Sequence, residues 1–480
     1  MIMETDSHQY WSQGKACFVP SALGDHIVIP PNEYNWLIDQ SDEALDDTIN
    51  LNNELQAEAT IGEPFMLHAP IVRDIVTREL SRKLAALTTE MFDELKTAID
   101  EQWGMDTNNW KEVNPNSTLL QIVARGSNRV FVGFPLCRDQ KFIHSCLSYA
   151  STLFPCSIAI RHVPKPLQPL FTPLITIANQ RHRRTIAKFV KPEVQRRMAE
   201  LSGHGPDAEK ALKNSRSTEN CLNWLIDAAL KSGRAFDRDP YIITQRLIIL
   251  QFVTMYPISG SSTDALYDIV SQPNSEAIVA SIRQNINEVL STNDNTWTKR
   301  ALSQLTTLDS AFRESLRLAP VVAFGSGRYV GAKGGLTTPI SNTYLPEGST
   351  VAIPSVAIHE NPANYDNPTE YDAFRFNSKV EQTSSTETVN PEALNNTSPD
   401  ATVKPTAFAN TSFKFTSFGH GRSACPGRFF ASDQMKLIFA YIIQNYDIEF
   451  LPKRPDRMWA GPFNVAPMTK TIRVKRREKA

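Results

Sequence analysis

Residues 418–427 read Phe418-Gly419-His420-Gly421-Arg422-Ser423-Ala424-Cys425-Pro426-Gly427, and the apolar run Phe429 to Tyr446 follows almost at once. A thiolate that serves as a metal ligand needs its charge stabilised and its sulfur presented by a fixed turn. Closely spaced glycines supply the turn, and the start of a helix supplies the favourable field. An isolated cysteine in such a turn is more often a buried structural residue, so the rest of the chain has to carry the reading. Working outward, Glu314-Ser315-Leu316-Arg317 sets an acid and a base three apart on one helical face, which alone would be an ordinary surface pair. Phe374-Arg375-Phe376, after Tyr371-Asp372, offers a second arginine from a later loop.

Together these three stretches resemble the cytochrome P450 family, haem-thiolate enzymes whose cysteine loop reads Phe-x-x-Gly-x-(basic)-x-Cys-x-Gly. Phe418, Gly421, Cys425 and Gly427 match that loop, Glu314 to Arg317 is similar to the family's Glu-x-x-Arg helix, and Arg375 stands where its later arginine does. The resemblance runs from about Gly14 to the end. Phe131-Val132-Gly133-Phe134-Pro135-Leu136-Cys137 and Thr263-Asp264-Ala265-Leu266-Tyr267 look like its fungal secondary-metabolite branch. It implies a mainly α fold with small β-sheets, the cytochrome P450 fold, as a single haem-thiolate catalytic domain over residues 1–480. The implied cofactor is haem b, an iron protoporphyrin, with Cys425 as the iron ligand whose electron donation favours O–O cleavage. Phe418 and Gly427 would belong to the cofactor-binding loop, and Glu314, Arg317 and Arg375 to a charge-assisted structural network. The family's haem propionates are held by a basic residue early in the chain, for which His68 and Arg73 are candidates, and by one two residues before the cysteine. Ser423 stands at that second place, a departure that leaves Arg422 or His420 as neighbouring substitutes.

A second departure bears on the chemistry. Aligned on Phe252 and on Thr263 to Tyr267, the long helix places Val253, Thr254, Met255, Tyr256 and Pro257 across the family's acid-alcohol pair, and Pro257 takes the threonine's place. Proline has no N–H to donate and clashes with the carbonyl four residues back, so a kink is expected at this point. The hydroxyls of Thr254, Tyr256 and Ser259 are candidates for holding a proton-relay water, against core packing or back-bonding to the helix. Two chemistries compete. One is a monooxygenase or oxidase that receives NADPH electrons through a reductase and attacks a large hydrophobic terpenoid or alkaloid, protons arriving through water or the substrate's own hydroxyl. The other is redox-neutral: peroxide rearrangement, dehydration or cyclisation, which needs no relay. A haem-binding protein without catalysis is a third reading. Pocket-lining residues are expected from Val253 to Ile258, Val321 to Phe324 and Ile61 to Leu67.

Composition narrows the field. The 480 residues carry 50 Lys and Arg against 51 Asp and Glu, a formal net charge of −1, which exerts no overall pull toward nucleic acid. With 41% hydrophobic residues, including 24 Phe, the chain can fill a large core. No uninterrupted apolar window reaches the roughly eighteen residues of a spanning helix, and Leu247 to Ile258 is broken by Tyr256 and Pro257. The polar start, Met1 to Trp11, lacks the order of a secretory signal. The family's N-terminal membrane anchor is absent from this chain; with it, the protein would sit at the endoplasmic reticulum membrane, facing the cytosol. Cysteines at 17, 137, 146, 156, 221 and 425 form no CxxC pair, so neither structural zinc nor a disulfide framework is expected. Apolar spacing predicts strands within Ala16 to Ile29, helices over Glu33 to Leu55, Ile71 to Gln102, Val194 to Ser202, Ser217 to Ser232 and Asp239 to Gln272, and two more between Asn274 and Leu318. Short strands follow at Val321 to Phe324, Arg328 to Val330 and Thr350 to Ile353, and residues 377–412, rich in Ser, Thr, Asn and Pro, read as a disordered loop insertion.

Overall fold

The computed structural model describes residues 11, 13–62, 70–202, 220–377 and 406–478. The alternating start forms strands β1 (Cys17–Val19) and β2 (His26–Val28). Glu33 to Leu55 is divided where one helical stretch was expected: α1 (Tyr34–Asp39), strand β3 (Leu45–Asp46) and α2 (Asp47–Leu55). Asp46 makes the division, because its carboxylate accepts the N–H groups of Thr48 and Ile49 at 2.7 Å each and so begins a new helix. After α3 (Ala57–Thr60), consecutive helical pieces are α4 (Pro70–Asp74), a π-helical turn over Ile75–Leu80 and α5 (Ser81–Trp103). Strand β4 (Lys111–Val113) leads to α6 (Pro115–Phe131), α7 (Gln140–Arg161), α8 (Gln168–Ile175), α9 (Ile177–Ser202) and α10 (Cys221–Lys231).

Helix α11 (Pro240–Val270) is the axis of the core, packed against α6, α7 and α9. Asp239 caps it, its carboxylate accepting the Tyr241 N–H at 2.8 Å, and Pro240 stands at the first turn, where its missing N–H costs nothing. The helix continues through Pro257 to Val270. One lost hydrogen bond is set against Phe252, Met255 and Ile258, all buried, at about 1.5–3 kcal/mol for each side chain, so packing keeps the segment helical. By length and composition α7 and α11 could each cross a membrane, a property that the search for uninterrupted apolar runs misses; in this fold α11 is covered by its neighbours over most of its length.

Beyond α12 (Ser275–Ser291), the segment expected to hold one further helix holds two, α13 (Lys299–Ser303) and α14 (Thr306–Leu318). Then come β5 (Phe324–Val330), β6 (Leu336–Thr337), β7 (Tyr344–Leu345), β8 (Thr350–Pro354) and α15 (Ser355–His359). The chain finishes with α16 (Arg428–Asn445), β9 (Tyr446–Ile448), the hairpin β10 (Met458–Ala460) and β11 (Phe463–Val465), and β12 (Ile472–Arg476). The largest sheet has the order β1-β2-β8-β5-β3, with β2 parallel to β8, and a second has the order β4-β12-β9. Both therefore join segments distant in sequence.

The hairpin is tied to the core by charge. Asp264 and Asp268, one turn apart on α11, share Arg454, and Arg457 reaches Asp268 at 2.9 Å. This seats Phe463 against Phe154 of α7, ring centroids 4.7 Å apart, with Phe252 of α11 on the other side of Phe154. Of the expected disordered insertion, residues 378–405 lie outside the described residues, but its last part is ordered. The Phe408 N–H donates to Asp309 at 2.9 Å, Arg313 donates to the Asn410 carbonyl, and the Phe408 ring is buried. A polar composition averaged over the segment hides one phenylalanine that docks on α14.

Candidate functional site

Gly419 and Gly421 both adopt φ of +67°, which side-chain-bearing residues reach only with strain, and a Cβ on Gly421 would stand 3.2 Å from Ile38 of α1. The loop closes when the Cys425 N–H donates to the Phe418 carbonyl at 2.6 Å, and the Phe418 ring packs edge-on against Phe408. Cys425 then sits just before α16, where the backbone N–H groups of Gly427 and Arg428 reach its sulfur. Burial pushes the thiol above its ordinary value, while these amides and the Arg428 charge pull the other way. Cys425 keeps exposed surface although surrounding protein encloses it, the combination expected of a side chain that faces an enclosed space. A desolvated thiol with two N–H donors at a helix start suits a soft metal: the ion supplies the positive charge that burial otherwise denies the thiolate. The donor set therefore fits an iron porphyrin held through Cys425.

Behind the loop lies the predicted network. Arg317 donates to both oxygens of Glu314 at 2.8 Å, and Arg375 donates to Glu314 at 2.9 Å, with Glu314 and Arg317 fully buried. Arg317 also donates to the His359 carbonyl at 2.7 Å. His359, which no sequence motif marked, carries the network to the loop: its Nε2 accepts the Thr416 N–H at 2.9 Å, so the proton is on Nδ1 and donates to the Arg317 carbonyl at 2.9 Å. Thr416 lies two residues before Phe418, so the cysteine loop starts from this chain of bonds.

Several expected site residues are placed elsewhere. Arg422 turns outward, donating to the Gln40 carbonyl and pairing with Asp42 at 3.1 Å, so it does not serve the cavity; consecutive side chains in a turn point in different directions. His420 bonds Thr411 at 2.8 Å and packs on Phe413. Arg73 is brought to the loop, donating to the Arg422 carbonyl at 3.1 Å, whereas His68 lies outside the described residues. The three hydroxyls all donate to main-chain carbonyls. Thr254 donates to the Leu250 carbonyl at 2.6 Å, Ser259 to that of Tyr256 at 3.1 Å, and Tyr256 reaches away to the Leu147 carbonyl on α7 at 3.1 Å. Phe324 packs with Trp11 and His26 at the sheet, not into a pocket, and Val322 bridges to Phe463. Of Val253 to Ile258, Val253 is the most open, at 42% exposure; Met255 and Ile258 are buried, and Thr254, Tyr256 and Pro257 are half-buried.

His359 makes the network sensitive to acid. Burial, and then the nearby Arg317, hold its value down at about 3 against an ordinary 6.5. The unfolded chain therefore binds a proton that the native imidazole refuses. Stability is complete above about pH 6.5 and falls as pH drops toward 3, by about 1.4 kcal/mol per unit. His359→Gln, which keeps an acceptor for Thr416, is expected to flatten the pH dependence of denaturant unfolding in that window; equal slopes in both proteins would refute the assignment.

Comparison with known proteins agrees with this geometry. The family model for cytochrome P450 matches residues 69–476. Cytochrome P450 monooxygenase gloP of Glarea lozoyensis is 32% identical over 99% of this chain and 86% of its own length. Cytochrome P450 monooxygenase htyF of Aspergillus rugulosus is 31% identical over 95% of this chain, which spans 65% of that protein. Among solved structures, the haem domain of cytochrome P450DA superposes with a TM-score of 0.68 over 98% of this chain and 92% of that one; at 15% identity this speaks for the fold alone. The extent of these matches accounts for a cysteine loop built to hold haem, the cofactor of the group: the chain belongs to the cytochrome P450 family of oxidoreductases.

Proposed function

We propose that the chain is a monooxygenase or oxidase acting on a large hydrophobic secondary metabolite of terpenoid or alkaloid type in a biosynthetic pathway, with electrons from NADPH delivered by a reductase. The carrying observation is the enclosed Cys425 thiol at the start of α16, supplied with two backbone amides. The relatives named cytochrome P450 monooxygenases support the same reading. When bound, haem supplies an iron at which dioxygen is reduced and its oxygen passed to the substrate. The amides of Gly427 and Arg428 stabilise the sulfur's charge, and Glu314, Arg317 and His359 hold the loop that presents it. Arg73, already at the loop, is the cation available to a haem propionate.

Pro257 favours the redox-neutral chemistry as a second reading, because Thr254, Tyr256 and Ser259 all spend their hydroxyls inside the fold. Oxidation then draws its protons from water or from the substrate itself.

We also propose that the protein works on a membrane surface, at the cytosolic face of the endoplasmic reticulum. Support comes from α8 and its flanks, where Leu167, Leu170, Phe171, Leu174 and Ile177 are 42–67% exposed. Residues 140–192 contain eight Lys and Arg and no Asp or Glu. Exposed Arg181, Arg184, Lys188 and Lys191 continue the stripe of α9 that begins at Ile177. An apolar tip beside an acid-free basic stripe suits an anionic bilayer.

Cys425→Ala is expected to abolish the carbon monoxide spectrum of thiolate-bound haem; a retained spectrum would remove Cys425 as the ligand. With candidate terpenoid and alkaloid intermediates, product gaining oxygen or losing two hydrogens only when NADPH, reductase and dioxygen are all present is the outcome expected for oxidation. An isomer or dehydration product formed equally without reductant would establish the redox-neutral reading, and a bound-ligand spectrum with no turnover would leave a haem carrier. In sedimentation with vesicles, binding is expected to require phosphatidylserine and to weaken in Leu170→Asp and Leu174→Asp; protein that stays in solution with every vesicle would end the membrane proposal.

A further inference from the structure

We infer that the main-chain carbonyl of Val253 is a binding site for the substrate, and that the cavity therefore selects an apolar molecule bearing a hydroxyl or N–H group over one of the same shape without it. The inference rests on reading the Cys425 cavity as the substrate site and goes on to name the chemical class of its occupant.

In an α-helix each carbonyl accepts the N–H four residues on, and Pro257 has none to give Val253. Among the described residues no side-chain hydrogen bond replaces it. The nearest hydroxyl, that of Thr254, goes to the Leu250 carbonyl at 2.6 Å, Ser259 goes to Tyr256, and Tyr256 goes to Leu147. The freed acceptor also lies on the side of α11 that opens. Val253 is 42% exposed between buried Phe252 and half-buried Thr254, and a Cβ placed on Gly260 would have nothing within 4 Å. Positions 253, 257 and 260 fall on one face at helical spacing, and a helix carbonyl points along the axis, here from Val253 toward Pro257.

This turn of α11 thus offers two oxygen lone pairs and no donor. A carbonyl in apolar surroundings is costly until something donates to it. A ligand hydroxyl or N–H meets that need in a directional way, which fixes how the rest of the molecule lies against the helix. A ketone or ether oxygen placed there would meet lone pairs of the same sign and gain nothing.

Pro257→Ala and Pro257→Val each return an N–H to the Val253 carbonyl while changing the volume at 257 in different ways. Haem-loaded wild type and both variants would be titrated with cyclododecanol, methylcyclododecane and cyclododecanone, dissociation constants being read from the shift in haem absorption. The ratio of alcohol to hydrocarbon affinity is expected to fall by about fivefold to tenfold in both variants, the worth of one hydrogen bond, with the ketone-to-hydrocarbon ratio unmoved. An unchanged alcohol ratio, or a change in only one variant, would overturn the inference, since the second result reports shape. The carbon monoxide spectrum separates this failure from failure of the underlying reading: a thiolate spectrum in all three proteins leaves the haem-thiolate site standing whatever the ratios, and its absence from wild type removes that site itself.

Discussion

Glu314 is a carboxylate shut off from water between two guanidinium groups, and the cysteine loop depends on it. A buried charge of this kind is stable only while every partner is in place; removing one from such a pair costs about 3–5 kcal/mol, because the other is left uncompensated. The partners come from separate stretches: Arg317 from α14, Arg375 from the loop after α15, and the Asp372 N–H, which donates at 3.1 Å. Arg317 and His359 exchange hydrogen bonds, and His359 takes the Thr416 N–H, so the carboxylate reaches the loop through a neutral imidazole whose two nitrogens both have work. The arrangement is all-or-none. It holds the cysteine turn in one position, and that position decides where a haem iron would lie.

The opposite wall is the other constraint. Helix α11 stays helical through Pro257, with Phe252, Met255 and Ile258 buried around it, and the hairpin behind it is fastened by Arg454 to Asp264 and Asp268. A helix held this firmly cannot relieve its missing hydrogen bond by unwinding, so the deficit stays local, at the Val253 carbonyl. A substitution that removes a proton-relay alcohol thereby also creates an acceptor, and the chemistry open to the site depends on what the substrate brings to it. Loss of the alcohol and gain of the acceptor both follow from proline at residue 257, whose side chain has no hydroxyl and whose nitrogen has no hydrogen.

Much of the site was legible in the chain because its chemistry is local. A ligand cysteine needs a turn and a helix start within about ten residues, and Phe418 to Gly427 contains both. Glu314 and Arg317 are one helical turn apart, so their pairing follows from spacing alone. Other parts depend on direction. Arg422 stands three residues before Cys425 yet faces Asp42, while Arg73, far away in sequence, reaches that loop. His359 carries no motif, and nothing in its neighbours announces that it will meet Thr416. The strand at Leu45 and Asp46, cut into an apparently helical stretch, owes its existence to a partner strand near Val330. Phe408 shows the same limit, since one buried ring anchors a segment whose composition is that of an exposed loop.

By itself the sequence determined which residues the site is built around: a cysteine in a glycine-rich turn, an acid with two arginines and a proline in place of a threonine are statements about residue identity and short spacing. It also determined the helices with strong apolar period, because a 3.6-residue repeat is written into a single segment. The tertiary structure decided the rest: which cation serves the cysteine loop, how the network reaches that loop, and which face of α11 opens onto space. Those outcomes depend on the direction of side chains packed against partners tens or hundreds of residues away, and direction is fixed only when all the surrounding elements are in contact.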